Sequence, residues 1–223
     1  MKKSLLHFAG LASLMFLSLG TAGATTLYQN TTGDLFTEFN DGQTEYGNEI
    51  VLAGGSSFTV TNFAFEYYGL NFTGGEEAEV RFYENNGALF NGFATPGTTL
   101  YDSGEFSISQ TGVGGETLDF NPQNSPGFDF TATNDITFTV QFSNVGATNA
   151  GVDLYYPPTV GTNFGDMWVN TTNGWELEFN TNAPLGIGAQ VEGTSAVPEP
   201  TAVMLGLMGG VAGLMVVLRS RRS

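Results

Sequence analysis

An all-β domain made of two antiparallel sheets packed face to face, a jelly-roll-like sandwich, is the fold class that this 223-residue sequence predicts. Three observations predict it. Apolar residues recur at every second position in several short runs, as in strands with one buried face. The chain holds 31 glycines and frequent asparagine, which punctuate it with turns, and 19 phenylalanines to fill a core. No helical stretch precedes the C-terminal tail. The length allows one full-sized core, and no cysteine is present, so the domain depends on buried area instead of disulfides.

Residues 1–24 read as a secretory signal peptide. Lys2 and Lys3 precede an apolar run centred on Leu11 to Leu19, and the small residues Ala22 and Ala24 flank Gly23 as a signal-peptidase site, with cleavage after Ala24. A retained anchor is the alternative, but the run is short and interrupted by Ser and Gly.

Residues 25–194 are the expected ectodomain, with about nine or ten strands from Glu49 onward. The clearest alternation is Ile136, Phe138, Val140 and Phe142, spaced by Thr137, Thr139 and Gln141, which predicts a half-buried strand. Phe63, Phe65 and Tyr67 give a second and Ala78, Val80 and Phe82 a third. Trp175, Leu177 and Phe179 give a fourth, with Glu176 and Glu178 turned outward. Shorter candidates lie at 98–101, 105–108, 117–120, 151–156 and 188–191. Turns fall at Gly54-Gly55, Gly74-Gly75, Asn85-Asn86-Gly87 and Asn173-Gly174.

Residues 195–201 read as a linker containing Pro198, Glu199 and Pro200, two prolines that hold an extended backbone outside the helix that follows. Residues 202–218 are uncharged and predict a helix of roughly 25 Å, at the lower limit for crossing a bilayer. Arg219, Arg221 and Arg222 in residues 219–223 would keep the end cytoplasmic and the domain outward.

Triplet, apolar helix and basic end, in this order, resemble the PEP-CTERM sorting signal of biofilm-forming Gram-negative bacteria. The resemblance implies recognition of Pro198, Glu199 and Pro200 by a membrane-embedded exosortase. It also implies transient membrane anchoring, then a place at the cell surface or in the matrix, often beside exopolysaccharide. A plain single-span anchor is the alternative reading of the same tail.

Composition excludes much chemistry. Between Thr25 and Val197, Arg81 is the one base against 21 acids, a net charge of −20 that repels nucleic acid and anionic lipid. The one histidine is His7, and residues 25–197 contain no His, Cys or Lys, which removes Ser-His-Asp, Cys-His and Ser-Lys nucleophiles, Schiff-base lysines and His- or Cys-ligated zinc. The expectation is no enzyme and no required cofactor. A carboxylate-pair glycoside hydrolase is the residual catalytic alternative. Asp102-Ser103-Gly104 resembles half of an aspartic-protease site, but one triplet in so short a chain reads as a strand-ending turn. Calcium is the candidate metal, at Glu76, Glu77 and Glu79 or at Asp129 and Asp135. The expected role is a structural or adhesive matrix protein. The alternative is a carbohydrate-binding module using Tyr155, Tyr156 and Trp168 as sugar platforms.

Overall fold

Alternating apolar and polar side chains, broken by Gly and Asn turns, give a chain that among the described residues is strands and turns without a helix. The computed structural model describes residues 23–112, 115–146, 149–180 and 183–195. The signal-peptide residues up to Ala22, the Pro198-Glu199-Pro200 triplet and the apolar tail lie outside the described residues. In chain order the strands are β1 (Thr25–Asn30), β2 (Asp34–Phe39), β3 (Glu45–Val51), β4 (Ser57–Gly69), β5 (Glu77–Glu84), β6 (Leu89–Phe90), β7 (Phe93–Ala94), β8 (Thr99–Asp102) and β9 (Phe106–Ser107). They continue as β10 (Glu116–Phe120), β11 (Phe130–Thr133), β12 (Asp135–Ser143), β13 (Ala150–Tyr155), β14 (Thr162–Asn163), β15 (Asp166–Thr171), β16 (Gly174–Phe179) and β17 (Ala189–Ser195).

Two antiparallel sheets result. The first is organised by the long β4, which carries β17 and β13 on one edge and β11 and β10 on the other, with β1 beyond β17 and β2 beyond β13. The second runs β16-β15-β3-β12-β5-β8, with β14 on β3 and β9 on β5. In β4 an extra residue at Thr61, opposite the step from Glu192 to Gly193, resets the alternation. Phe58 and Val60 therefore face inward with Phe63, Phe65 and Tyr67.

The sheets meet on aromatic rings. Phe63 of the first lies 4.9 Å from Phe82 and 5.1 Å from Phe138 of the second, edge-on and tilted, the arrangements favoured by the ring quadrupole. Phe120, Phe128 and Phe130 close the same cluster from β10, β11 and the turn between them. Buried asparagines pin the following loops to it. Asn48 donates to the carbonyls of Asp166 and Leu185 at 2.7 and 2.6 Å and accepts from the Ile187 amide at 2.6 Å. Asn30 donates to the carbonyls of Tyr155 and Ile187.

Four expectations need correcting. Strand β12 is buried on both faces: Thr137 and Thr139 are as inaccessible as Phe138, because a polar layer covers the outer face of its sheet. On β16, the register Met167↔Glu178 and Trp168↔Leu177 puts Trp175, Leu177 and Phe179 on the outer face, and the two glutamates on the side of the core residues Met167 and Val169. An edge strand buries neither face fully, and Phe179 is 70% exposed. Strands also precede Glu49, since β1, β2 and the start of β3 lie there; a bulge in β1 after Thr26 buries adjacent Leu27 and Tyr28 and breaks the period-two signal. Finally, Ser195 belongs to β17, not to the linker.

Candidate functional site

Strand alternation brings one concentrated polar array to the outer face of the second sheet. Thr139 pairs with Gly47 of β3 on one side and Arg81 of β5 on the other, and Asp102 of β8 pairs with Arg81 in turn. Glu45 lies at its centre, 6% exposed. Its carboxylate accepts from the Tyr83 hydroxyl at 2.8 Å, the Thr139 hydroxyl at 2.7 Å and the Asn170 amide at 3.2 Å, with an Arg81 nitrogen at 3.3 Å.

Arg81 also pairs with Glu79, with Asp102 at 3.1 Å and with the side-chain amide oxygen of Gln141 at 3.2 Å. One guanidinium thus serves three carboxylates. Burial and the adjoining Asp102 outweigh Arg81 at Glu79 and lift its carboxyl to about 7. Burial works upward at Asp102 as well, but the Gly104 N–H, the Glu79 carboxyl and Arg81 hold that group below its usual value. The two acids share a hydrogen bond, whereas a glycosidase pair stands roughly 5 to 9.5 Å apart with a glycosidic bond between. The arrangement offsets part of the acidic charge and locks the sheet face; Glu45 has no lone pair left over for a substrate.

Beside it sits an aromatic cluster. Trp168 is 1% exposed, donates its indole N–H to Glu49 at 3.2 Å and lies 6.3 Å from Phe90, while Trp175 packs edge-on to Tyr83 at 5.7 Å. Phe90 belongs to the β6–β7 hairpin, which the sequence reading missed. Its signal was the Asn91-Gly92 pair, with φ of +51° and +92°, the backbone that a two-residue primed turn demands.

The residues singled out from sequence are dispersed. Trp168 is an enclosed ring and presents no face to solvent. Tyr155 is half-buried, and its hydroxyl donates to Glu66 at 2.6 Å; Tyr156 is partly exposed at the loop that follows. Glu76 folds back on its own turn, accepting from the amides of Thr73 and Gly74 at 2.5 and 2.8 Å. Glu77 accepts from Asn144 at 3.3 Å and Glu79 pairs with Arg81, so the three glutamates do not converge. Asp135 accepts from Asn85 at 2.6 Å, and Asp129 is exposed in the segment before β11. Among the described residues no three acidic, His or Cys side chains come together as a metal-binding group. Asp102 ends β8 by accepting from the Gly104 amide at 2.7 Å, the turn expected of that triplet. Ala24 is exposed immediately before β1.

Among the described residues a concave feature lies elsewhere, where the β8–β9 edge of the second sheet faces β10 of the first. A groove of about 340 Å³ opens there between Tyr101, Phe106, Leu118 and Phe120, with Asp119 and the 124–126 turn as its rim. Phe106 and the buried Phe120 are in edge-to-face contact, centroids 5.4 Å apart, in its wall. The Asn124 side chain is consumed by the turn, donating to the Asp119 carbonyl and accepting from the Asn121 amide. The Asp119 carboxylate is exposed, with only a 3.5 Å contact from Asn62.

Fold and surface together define an acidic two-sheet all-β domain with a locked polar face and, among the described residues, an aromatic edge groove. Comparison with protein-family models, curated proteins and solved structures finds no match.

Proposed function

We propose that this chain is an exported surface or matrix protein of a Gram-negative bacterium, with a structural or adhesive role beside exopolysaccharide. In this reading it is cut by signal peptidase after Ala24 and by an exosortase at Pro198-Glu199-Pro200. The observation that carries it is the position of the sheet boundaries. Strand β1 opens at Thr25, directly after Ala24, and lies beside β17 with Thr25 opposite Gly193. The cut after Ala24 therefore falls outside the sheets and spares every ladder hydrogen bond. The consecutive strands β3, β4 and β5, and again β11, β12 and β13, alternate between the sheets, which supports a jelly-roll-like winding.

The test is intact mass of the protein from cell surface and medium, beside a variant with Pro198→Ala and Pro200→Ala. A form running from Thr25 to near the triplet, lost in the variant, is expected. A form retaining its arginine tail in both makes this a membrane-anchored ectodomain instead. A carbohydrate-binding module is the second reading, favoured by the edge groove with its aromatic walls.

A further inference from the structure

We infer that Thr137 and Asn85 form an intramolecular ester cross-link, the Thr137 hydroxyl displacing the side-chain nitrogen of Asn85 as ammonia. This goes beyond the sorting and matrix reading and does not depend on it.

Strand register fixes the nucleophile. Thr137 lies on the outer face of the central strand β12, between Glu49 of β3 and Tyr83 of β5, and is fully inaccessible. Asn85 follows directly on β5, whose last residue, Glu84, pairs with Ile136. Its side chain is held at both ends: the Thr137 hydroxyl donates to its carbonyl oxygen at 2.7 Å, and its nitrogen donates to the Asp135 carboxylate at 2.6 Å. The carbonyl carbon is one bond beyond an atom already in contact with the hydroxyl, close to a near-attack arrangement. On the remaining side, Glu49 keeps its carboxyl against Asp135 and the Trp168 indole. A hydroxyl on an amide does not suffice. Ser125 donates to the Asn124 side-chain carbonyl at 3.0 Å, but in an exposed turn where the Asn124 nitrogen donates to a backbone carbonyl, which cannot carry a proton.

The exchange balances without a co-reactant. The Thr137 oxygen bonds to the Asn85 side-chain carbonyl carbon, and the carbon–nitrogen bond breaks. The hydroxyl proton passes by way of the carbonyl oxygen and Asp135 to the nitrogen, which leaves with three hydrogens as ammonia. Asp135 is the catalytic residue, because it touches the departing nitrogen. Burial of the threonine keeps water from the product, while the half-buried Asn85 gives ammonia a way out. A domain without cysteine thereby gains a covalent tie between its central strand and the end of β5.

The experiment is peptide mapping of the full chain, purified in detergent, by tandem mass spectrometry. A peptide pair joined through Asn85 and Thr137, lighter than its two parts by one ammonia and separated by hydroxylamine, is expected. Thr137→Val abolishes the pair, whereas Thr137→Ser keeps the hydroxyl and the link. Asp135→Asn can still accept from the Asn85 nitrogen but cannot carry the proton, and holds at most about a tenth of the parent's linked fraction. The near-ultraviolet spectrum reports that each variant is folded. The inference is overturned if Asn85 and Thr137 are recovered only in unlinked peptides, including the case where ammonia is lost solely at Asn86-Gly87 or Asn91-Gly92 by ring closure. It is overturned equally if a link to Asn85 survives Thr137→Val, or if Asp135→Asn links as fully as the parent.

Discussion

Arg81 lies 3.3 Å from the nearly inaccessible carboxylate of Glu45, and it is the only base between Thr25 and Val197. A buried carboxylate with four polar partners is secure only while its counter-charge remains.

Replacing Arg81 by Met should therefore destabilise the domain by about 2–4 kcal/mol, the lower part of that span reflecting a guanidinium that still touches solvent. Glu45→Gln should cost less, because it removes the charge that needs compensation. Urea denaturation of both variants checks the order; equal losses would mean that Arg81 acts by packing alone.

Stability should fall as pH rises. Burial, assisted by Asp135 and Asp166 and opposed by the Trp168 indole, lifts Glu49 from 4.5 to about 7. Burial with Glu38, Glu66 and Asp34 lifts Asp153 from 3.8 to about 6. The folded state then binds more protons than the unfolded one across that window, so stability present below the unfolded values is lost as pH climbs through the folded ones. Both groups are partly solvated, so the loss is on the order of 1 kcal/mol each, or roughly 2–4 °C. Melting at about pH 5 and pH 8 reads this out, and Glu49→Gln should flatten part of the slope.

Phe63→Ala should cost about 3–5 kcal/mol, since the ring touches Phe65 and Phe120 in its own sheet and Phe82 and Phe138 across the interface. Phe179→Ala, on the exposed end of β16, should change stability by less than about 0.5 kcal/mol. Thermal melts of the pair separate a core ring from a surface one.

Two glycines should respond in different ways. A Cβ on Gly47 would stand 1.9 Å from the Phe138 carbonyl oxygen, so Gly47→Ala must part β3 from β12 and should abolish soluble expression. Gly92 has open space but a φ of +92°, so Gly92→Ala should cost only about 1–2 kcal/mol, local to the hairpin. Expression yield and amide exchange in residues 88–95 distinguish the two.

The strands that show in sequence are those with one apolar and one polar face. Phe63 to Tyr67 and Ala78 to Phe82 announce themselves because each second residue enters the core between the sheets. Where bulges intervene, as between Thr26 and Tyr28, the period fails and the strand is silent. The groove had no signal, since Phe106 and Phe120 are distant in sequence and meet only through the pairing of β9 with β5 and of β10 with β4.

Residue types and their spacing alone determined that residues 25–197 make an acidic all-β domain without His, Cys or Lys. These are properties of composition and local period, which need no partner in space. Only the tertiary structure decided that Thr137 and Thr139 are buried, that Trp168 is enclosed, that the apolar side of β16 faces away from the core and that Arg81 answers three carboxylates at once. The physical reason is that a strand's alternation separates two faces without naming which is covered. That is settled by register and by what the neighbouring strands place on the same side.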